Sequence, residues 1–342
     1  YGVVVDAKKG YVIVSRKYVP HDMCDVLVTI AESIIVPAKV VFMHPTYNYS
    51  VIQYDPKLVN ADVISPKFSK TPINRGDSLN FIGYNYNFRV LASTTSVTDL
   101  LSINVPYSHA CPRYRGLNLE SVVIDSTTCG DCDSGVLADD DGTIRAIWLE
   151  YLGELGSDGD VSYRMGIDIV HMNNVIEALK NDKTPRVRII DAEFYALTIS
   201  SARLQGVSEK WIAELEKIGT DRFQFFCASR VTCAEDAIRV AESKDDEKKK
   251  NDEEELDKLK VGDIVLALNG TLVHRITQLH DFSFEEEKEV ELTIVRNSKE
   301  ITIKVKTTEV GSSDHYVAWS GANIQEPHHS VCQELKNLPS RV

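Results

Sequence analysis

The sequence lacks the features that define several protein classes. Its cysteines are too few and too scattered for a disulfide scaffold in a chain of 342 residues: Cys24, Cys111, Cys129, Cys132, Cys227, Cys233 and Cys332. No stretch approaches the roughly 18 apolar residues of a transmembrane helix, because Glu32, Pro37 and Lys39 interrupt the richest region, residues 25–42. We therefore expect a protein of a reducing compartment and no membrane partner.

The chain also has fewer basic residues than acidic residues. The chain carries 38 Lys and Arg against 51 Asp and Glu, a net charge of −13. Such a chain repels phosphate backbones and anionic lipid, which argues against a nucleic-acid partner. With 43% hydrophobic and 26% charged residues, the composition is that of a globular protein, and the length predicts two or three domains.

Residues 1 to about 168 carry the pattern of an all-β fold. Short apolar or β-branched runs alternate with turn residues at near-regular spacing, which predicts a barrel or a sandwich without choosing between them. The predicted strands cover residues 2–5, 11–14, 26–30, 39–42, 51–54, 79–83, 89–92, 121–124 and 144–149.

The spacing of the apolar residues changes after this region. Met172, Val175, Ile176 and Leu179 have helical spacing, and residues 183–185 are typical of a linker. A mixed domain should follow from about residue 186. It includes a helix capped by Ser208, and hairpins that turn at residues 269–270 and 297–298. Residues 242–260 are almost entirely charged, which predicts a solvated insertion.

Motifs in residues 1–180 occur in the order found in the HtrA (Deg) family of chymotrypsin-like serine proteases. The segments GYVIVSRKYV, NYSVIQ, IGY, GVL with DG, and MGIDIV resemble that family's motifs, and they occupy residues 10–19, 48–53, 82–84, 135–142 and 165–170. The resemblance implies a mainly β fold, with a double β-barrel over residues 1–183, a PDZ domain over 184–310, and the beginning of a further PDZ domain over 311–342.

Longer strings resemble a fungal nuclear, pro-apoptotic branch of the family that carries two protease-plus-PDZ halves. They are VPHDMCD, VPAKVVFMHPTYNY and PRYRGLNLE, at residues 19–25, 36–49 and 112–120, and they match the second, degenerate half. The chain lacks an initiator Met, so we expect a fragment. The resemblance implies the nucleus, or else the cytoplasm, as the location. It also implies the active protease half of the same protein as a partner, and a homo-oligomer.

Carrying the family's catalytic triad onto this sequence replaces every member. Lys17 falls where the His should be, Asn48 where the Asp should be, and Asp133 where the Ser should be. A protonated Lys is a poor base, Asn cannot stabilise an imidazolium, and a carboxylate is a weak nucleophile. Asp131 also adds negative charge where the oxyanion hole should form. We expect this protease domain to be inactive.

Two alternative nucleophiles remain open. A shift of one residue in either direction brings Ser134 or Cys132 to the nucleophile position, the second within a Gly-Asp-Cys string. Both alternatives lack an evident base, because the first barrel offers only His21 and His44.

The pair Cys129 and Cys132 has the spacing of a metal or redox site. No second pair of ligands accompanies it, and the context is not the strand–helix context of a redox motif. We interpret the pair as two loop cysteines and expect neither a metal nor a cofactor.

The segment VGDIVLALNG, residues 261–270, resembles the most specific string of HtrA-type PDZ domains. By that resemblance, the carboxylate-binding loop would comprise Tyr195, Ala196, Leu197, Thr198 and Ile199. A facing helix would begin near Ile276 and present Leu279 to the groove. The loop lacks the Gly that allows close approach of a carboxylate, so peptide binding and a purely packing role both remain open.

Overall fold

The computed structural model describes most of the chain. The positions outside the described part are 21, 23, 45, 86, 88, 106–116, 126–128, 130–131, 155–159, 219–222, 232–257, 281, 284–288, 311–315 and 326–342. The chain divides into two compact units, Tyr1–Val187 and Arg188–Val342. Both units are built mainly from strands, which confirms the predicted mainly β fold class. In the described part, no helix combines the length and the apolar character needed to cross a membrane.

The first unit begins with a five-stranded antiparallel sheet in the order β1-β2-β5-β4-β3. Its strands are β1 (Gly2–Asp6), β2 (Tyr11–Ser15), β3 (Val26–Ile30), β4 (Ile34–Met43) and β5 (Tyr49–Tyr54). The strand β2, which lies between β1 and β5, is buried along its whole length, which explains its continuous apolar run. This first sheet is open in the part of the chain that the structure covers.

The second sheet of this unit closes into a barrel in the order β10-β11-β8-β7-β6-β9. Its strands are β6 (Ser78–Asn85), β7 (Val90–Val105), β8 (Leu117–Ile124), β9 (Cys132–Ala138), β10 (Ile144–Glu154) and β11 (Asp160–Asp168). Two glycines let neighbouring strands approach. A Cβ on Gly135 would lie 2.5 Å from the carbonyl oxygen of Ile82, and Gly83 is opposite Gly135 in the ladder.

A 3-10 turn (Pro56–Leu58) follows the first sheet, and the helix α1 (Val170–Lys180) follows the barrel. The predicted helical face is confirmed, since Met172, Val175, Ile176 and Leu179 are all buried. Asp168 fixes the start of α1, because its Oδ1 accepts from the backbone N–H of Val170 at 3.0 Å.

The second unit contains a mixed set of elements around its own core. One sheet has the order β13-β14-β15-β18-β19, with β16 paired to β15, and a smaller sheet has the order β17-β12-β20. The strands are β12 (Val187–Ile189), β13 (Ala192–Thr198), β14 (Gln224–Val231), β15 (Ile264–Leu268), β16 (Thr271–Leu272), β17 (Phe282–Ser283), β18 (Glu289–Arg296), β19 (Lys299–Lys306) and β20 (Thr308–Val310).

Two helices, α2 (Ile199–Leu204) and α3 (Glu209–Lys217), lie between β13 and β14 in sequence, and Ser208 is the N-cap of α3 as predicted. Both predicted hairpins are confirmed. Asn269 and Gly270 have φ of 47° and 77°, and Asn297 and Ser298 have φ of 50° and 59°, values that suit tight hairpin turns.

The region predicted to begin a further PDZ domain holds one described hairpin, β21 (Tyr316–Trp319) with β22 (Ala322–Gln325). The domain prediction for 311–342 stays a prediction. Residues 242–257 of the charged insertion lie outside the described residues, as does most of the string at 112–120.

Candidate functional site

A β-bulge places Asp133 at the centre of the candidate site. In the β6–β9 ladder, Tyr84 pairs with Ser134 and Asn85 pairs with Cys132, so Asp133 is an extra residue on β9. Bulges redirect a side chain and are common beside active sites. The Asp133 carboxylate accepts from the Tyr18 hydroxyl at 3.1 Å and from Nη2 of Arg164 at 3.0 Å.

Lys17 lies in the turn that follows β2. The backbone N–H of Lys17 donates to Oγ of Ser15 at 3.1 Å, which fixes the turn. Its ammonium group pairs with the carboxylate of Glu150 on β10, whose side chain is only 2% exposed. Nη2 of Arg164 lies 3.7 Å from the other carboxylate oxygen of Glu150, so two cations share this buried acid.

The side chain of Asn48 forms a hydrogen bond with the backbone of Glu150. The Asn48 side chain is fully buried, and its Nδ2 donates to the carbonyl oxygen of Glu150 at 3.0 Å and to Oγ of Ser15 at 3.1 Å. Ser15 Oγ in turn donates to the same carbonyl at 2.7 Å. The structure therefore brings Lys17, Asn48 and Asp133 into one cluster, which we call the Glu150 cluster: Ser15, Lys17, Tyr18, Asn48, Asp133, Glu150 and Arg164.

The charges of the Glu150 cluster are matched. Lys17 and Arg164 supply two cations, and Asp133 and Glu150 supply two carboxylates. Burial, and then the charge of Asp133, raise the pKa of Tyr18, so its hydroxyl keeps its proton and acts as a donor. Each ion is committed to a partner of opposite sign, an arrangement that stabilises charges and offers no free base.

Neither alternative nucleophile is accessible. Cys132 is fully buried in a core cluster with Phe81, Leu137 and Trp148. Ser134 is 4% exposed and lies within the sheet, paired with Tyr84 and Leu149. A nucleophile must be reachable by the substrate carbonyl, and neither residue meets this requirement.

The candidate base His44 is a structural histidine. Its Nδ1 accepts from the backbone N–H groups of Tyr47 at 3.0 Å and Thr46 at 3.2 Å. Burial lowers the pKa of His44 to about 3, with the charges of Arg16 and His171 as further causes. The other candidate base, His21, lies outside the described residues, and so does Asp131 of the oxyanion-hole prediction.

The cysteine pair does not lie on an exposed loop. Cys129 and Cys132 are 7% and 0% exposed, and both belong to the core of the closed barrel. Among the residues that the structure covers, no group of three or more His, Cys, Asp or Glu side chains is arranged to hold a metal ion. Cys132 begins β9 and so does not lie in a loop, whereas Cys129 lies between β8 and β9, and both thiols are buried among apolar core residues.

Glu150, Arg164 and Tyr18 were missed in the sequence. Glu150 has a signal of its own, a single carboxylate within the apolar run of β10, where an unpaired charge is costly. Arg164 and Tyr18 have no such signal, because their roles depend on the register that brings β9, β10 and β11 together.

In the second unit, the predicted carboxylate-binding loop is mostly a strand. Tyr195, Ala196, Leu197 and Thr198 end β13 and pair with β14, and Ile199 begins α2. The loop prediction is wrong because this apolar run completes a ladder, and the Oγ1 of Thr198 caps α2 by accepting from the N–H of Ser201. The strand β13 lies at the edge of its sheet.

The structure also lacks the predicted groove helix at the described residues that follow Arg275. Residues Ile276–Leu279 form one 3-10 turn, and the next described element is β17, which pairs with β12. Ile276 and Leu279 are fully buried in the core of this unit, so Leu279 is not presented to a groove. The sequence after Leu279 alternates aromatic and polar residues, a pattern typical of a strand.

The Asp of the VGDIVLALNG segment has a structural role. Asp263 is buried and receives Nε of Arg296 at 2.8 Å and Nη2 at 2.6 Å. The backbone N–H of Lys260 donates to it at 2.6 Å. This bidentate pair fixes the turn that leads into β15.

The fold resembles a solved HtrA-type protease. The structure of the HtrA-type protease AlgW with tripeptide aligns with a TM-score of 0.51 and 14% identity, covering 90% of this chain and 88% of that one. No family model matches the chain. The shared architecture defines the class of this protein, which has an HtrA-type protease fold.

Sequence identity to curated relatives establishes the family to which the chain belongs. The chain is 46% identical over 347 residues to the pro-apoptotic serine protease NMA111 of Debaryomyces hansenii, and 41% identical over 346 residues to that of Saccharomyces cerevisiae. Each match covers 100% of this chain and 33% of the relative, so the chain spans about one third of the length of these proteins. The chain belongs to the HtrA-like serine protease family.

Proposed function

We propose that this chain is a non-catalytic part of a longer HtrA-like serine protease, in which it serves assembly, substrate capture or regulation of the catalytic part. The observation that carries the proposal is the ion pairing of Lys17 with the buried Glu150. The residue at the position of the catalytic base is thereby held as a paired ammonium, which cannot accept the proton of a nucleophile.

The other two triad positions support the same proposal. The side chain of Asn48 donates hydrogen bonds to Ser15 and to the Glu150 backbone. The carboxylate of Asp133 accepts hydrogen bonds from Tyr18 and Arg164. The relatives are named serine proteases and are about three times as long as the match. Proteolysis is therefore assigned to polypeptide outside residues 1–342.

The second unit contributes peptide capture in this proposal. The edge position of β13 supports it, because an extended peptide can add a strand to an unpaired sheet edge. The related HtrA-type protease AlgW was solved with a tripeptide. We assign the second unit to the PDZ type on the strength of the VGDIVLALNG segment and this edge strand.

We further propose the nucleus as the location, with the cytoplasm as the alternative, and a role in cell death. The names of the relatives as pro-apoptotic proteases support the second point. The proposed partners are the catalytic part of the same protein, peptide ligands and further copies of the protein.

Cleavage of unfolded casein by the purified chain tests the central proposal. We expect no cleavage above that of a Cys132→Ala, Ser134→Ala double variant. Cleavage by the chain that disappears in the double variant would show that one of these residues is an active nucleophile, and the proposal would fail.

A further inference from the structure

The sequence contains three places where a Ser or a Thr directly precedes a Pro. The hydroxyl residues of these three pairs are Ser65, Thr71 and Thr184. A Pro fixes its own φ and restricts the residue before it to extended conformations. A hydroxyl in this setting is the acceptor that proline-directed kinases phosphorylate, so each pair is a candidate modification site. The structure distinguishes among the three.

Two of the pairs are poorly presented in the folded chain. The Oγ of Ser65 accepts from the backbone N–H of Ala7 at 2.9 Å, so this hydroxyl oxygen is engaged. Thr184 is exposed, but the Pro185 that follows it is buried. A proline-directed kinase must contact the Pro as well as the hydroxyl, so neither pair meets both requirements.

The pair formed by Thr71 and Pro72 meets both requirements. Both residues are exposed, and residues 70–74 lie outside the helices and strands. The backbone N–H of Thr71 donates to Oγ of Ser69 at 3.0 Å, whereas the Thr71 hydroxyl forms no hydrogen bond within the described part of the chain. The carbonyl oxygen of Pro72 accepts from Nη2 of Arg145 at 3.2 Å, and its ring stays exposed.

Two fixed points flank this pair. The backbone N–H of Ser69 donates to the carbonyl oxygen of Ile144 at 2.9 Å. The side chain of Ile73 is fully buried, and its backbone N–H donates to Oδ2 of Asp168 at 2.8 Å. Residues 70–72 are the exposed segment between these points. Local displacement of so short a surface segment into a kinase cleft requires far less free energy than unfolding of the sheets around it.

The charge around Thr71 suits a phosphate group. Residues 66–76 include Lys67, Lys70 and Arg75, all three exposed, and contain no acidic residue. This segment therefore differs from the chain as a whole, which has a net charge of −13. A phosphate on Thr71 would add about −1.5 to −2 at pH 7, and the neighbouring cations would stabilise it.

We propose that Thr71 is a phosphorylation site for a proline-directed kinase. The γ-phosphoryl group of ATP is transferred to Oγ1 of Thr71. The bond from the γ-phosphorus to its bridging oxygen breaks, the bond from Oγ1 to phosphorus forms, the hydroxyl proton is released, and ADP leaves. The modification would offset most of the positive charge of residues 66–76. It involves no residue of the Glu150 cluster or of β13, so it is independent of the proposed function.

Phosphorylation of the whole chain by a purified mitogen-activated protein kinase with ATP tests the proposal. Synthetic peptides centred on each of the three pairs are the reference substrates, and mass spectrometry locates the phosphate over a time course. We expect Thr71 in the folded chain to react within about tenfold of the rate in its peptide. Ser65 and Thr184 should react at least about a hundredfold more slowly in the folded chain than in their peptides, because they require local unfolding.

Variants separate recognition of this pair from effects on folding. Thr71→Val should abolish the fast labelling, and Thr71→Ser should restore it. Pro72→Ala keeps the carbonyl that receives Arg145 and removes only the ring, so it should slow labelling by at least about tenfold and leave the melting temperature within a few degrees. Thr184→Val is the matched control, and its labelling should equal that of the unmodified chain.

Three results would overturn the proposal. The first is labelling of Thr71 in the folded chain that is more than about tenfold slower than in its peptide, or a peptide that is not a substrate. The second is labelling of Ser65 or Thr184 in the folded chain as fast as that of Thr71. The third is undiminished labelling of Pro72→Ala, which would mean that the kinase does not recognise the pair.

Discussion

The Glu150 cluster and the edge strand β13 depend on different properties of the chain. The cluster lies where proteolysis would require three particular side chains, and all three positions hold other residue types. The edge of β13 offers backbone groups, which every residue except Pro provides. A few substitutions would therefore be enough to abolish catalysis, whereas recognition by strand addition would tolerate many. This difference would allow a protease fold to keep peptide binding without catalysis, as we propose for this chain.

The largest expected effect on stability comes from a substitution that disrupts the Glu150 cluster. Glu150→Ala leaves Lys17 and Arg164 without their shared, buried acid. We expect the free energy of unfolding to fall by about 3 kcal/mol, because a partly buried cation loses its partner. Denaturant unfolding followed by circular dichroism measures this change.

Glu177→Ala is the matched control, since Glu177 pairs with Lys180 on the exposed face of α1. This variant should change the free energy of unfolding by no more than about 0.5 kcal/mol. Equal effects of the two substitutions would contradict the role assigned to Glu150.

An intermediate effect concerns pH and His44. The pKa of His44 is lowered from 6.5 to about 3 in the folded chain, first of all by burial. The unfolded chain therefore takes up this proton first, and stability present above pH 6.5 is lost as the pH falls toward 3. The expected loss is about 1.4 kcal/mol per pH unit from this residue.

His44→Asn keeps an acceptor for the N–H groups of Thr46 and Tyr47 without a titrating ring. Urea unfolding at pH 7 and pH 5 should show a smaller loss of stability in the variant than in the unmodified chain. The same loss in both proteins would contradict the assignment of a neutral, buried His44.

The smallest expected effect sharpens the description of β13. The segment from Tyr195 to Ile199 has no Gly, and the N–H of Ser201 is already used by Thr198. A peptide held by strand pairing alone should not need its terminal carboxylate. We expect amidation of a bound peptide's C-terminus to change its Kd by less than about threefold.

Titration calorimetry with the acid and amide forms of one peptide measures this difference. A loss of tenfold or more on amidation would show that a carboxylate site exists after all.

Local patterns in the sequence predicted much of this fold. The helical spacing from Met172 to Leu179 and the turns at Asn269 and Asn297 depend on neighbouring residues, and these predictions are confirmed. The prediction of a helix beginning near Ile276 was wrong, because the strand β17 that follows pairs with β12, which is a long-range interaction. The open first sheet could not be foreseen either, since closure depends on how many strands pair and not on any one of them.

The candidate site was predictable only in part. Lys17, Asn48 and Asp133 could be placed by motif order, and the structure brings them together. Their common partner Glu150 could not be identified, because it lies about a hundred residues or more from each of the first two and meets them only through the packing of two sheets. The side chain that joins the cluster is thus the one that motif comparison leaves out.

Labelling with active-site-directed probes tests the central claim most directly. The folded chain would be treated with a fluorophosphonate and, separately, with a thiol-reactive peptide electrophile, and the labelled residue located by mass spectrometry. We expect no labelling of Ser134 or Cys132 in the folded chain, because both residues are buried. Stoichiometric labelling of either residue in the folded chain, lost on unfolding, would contradict it.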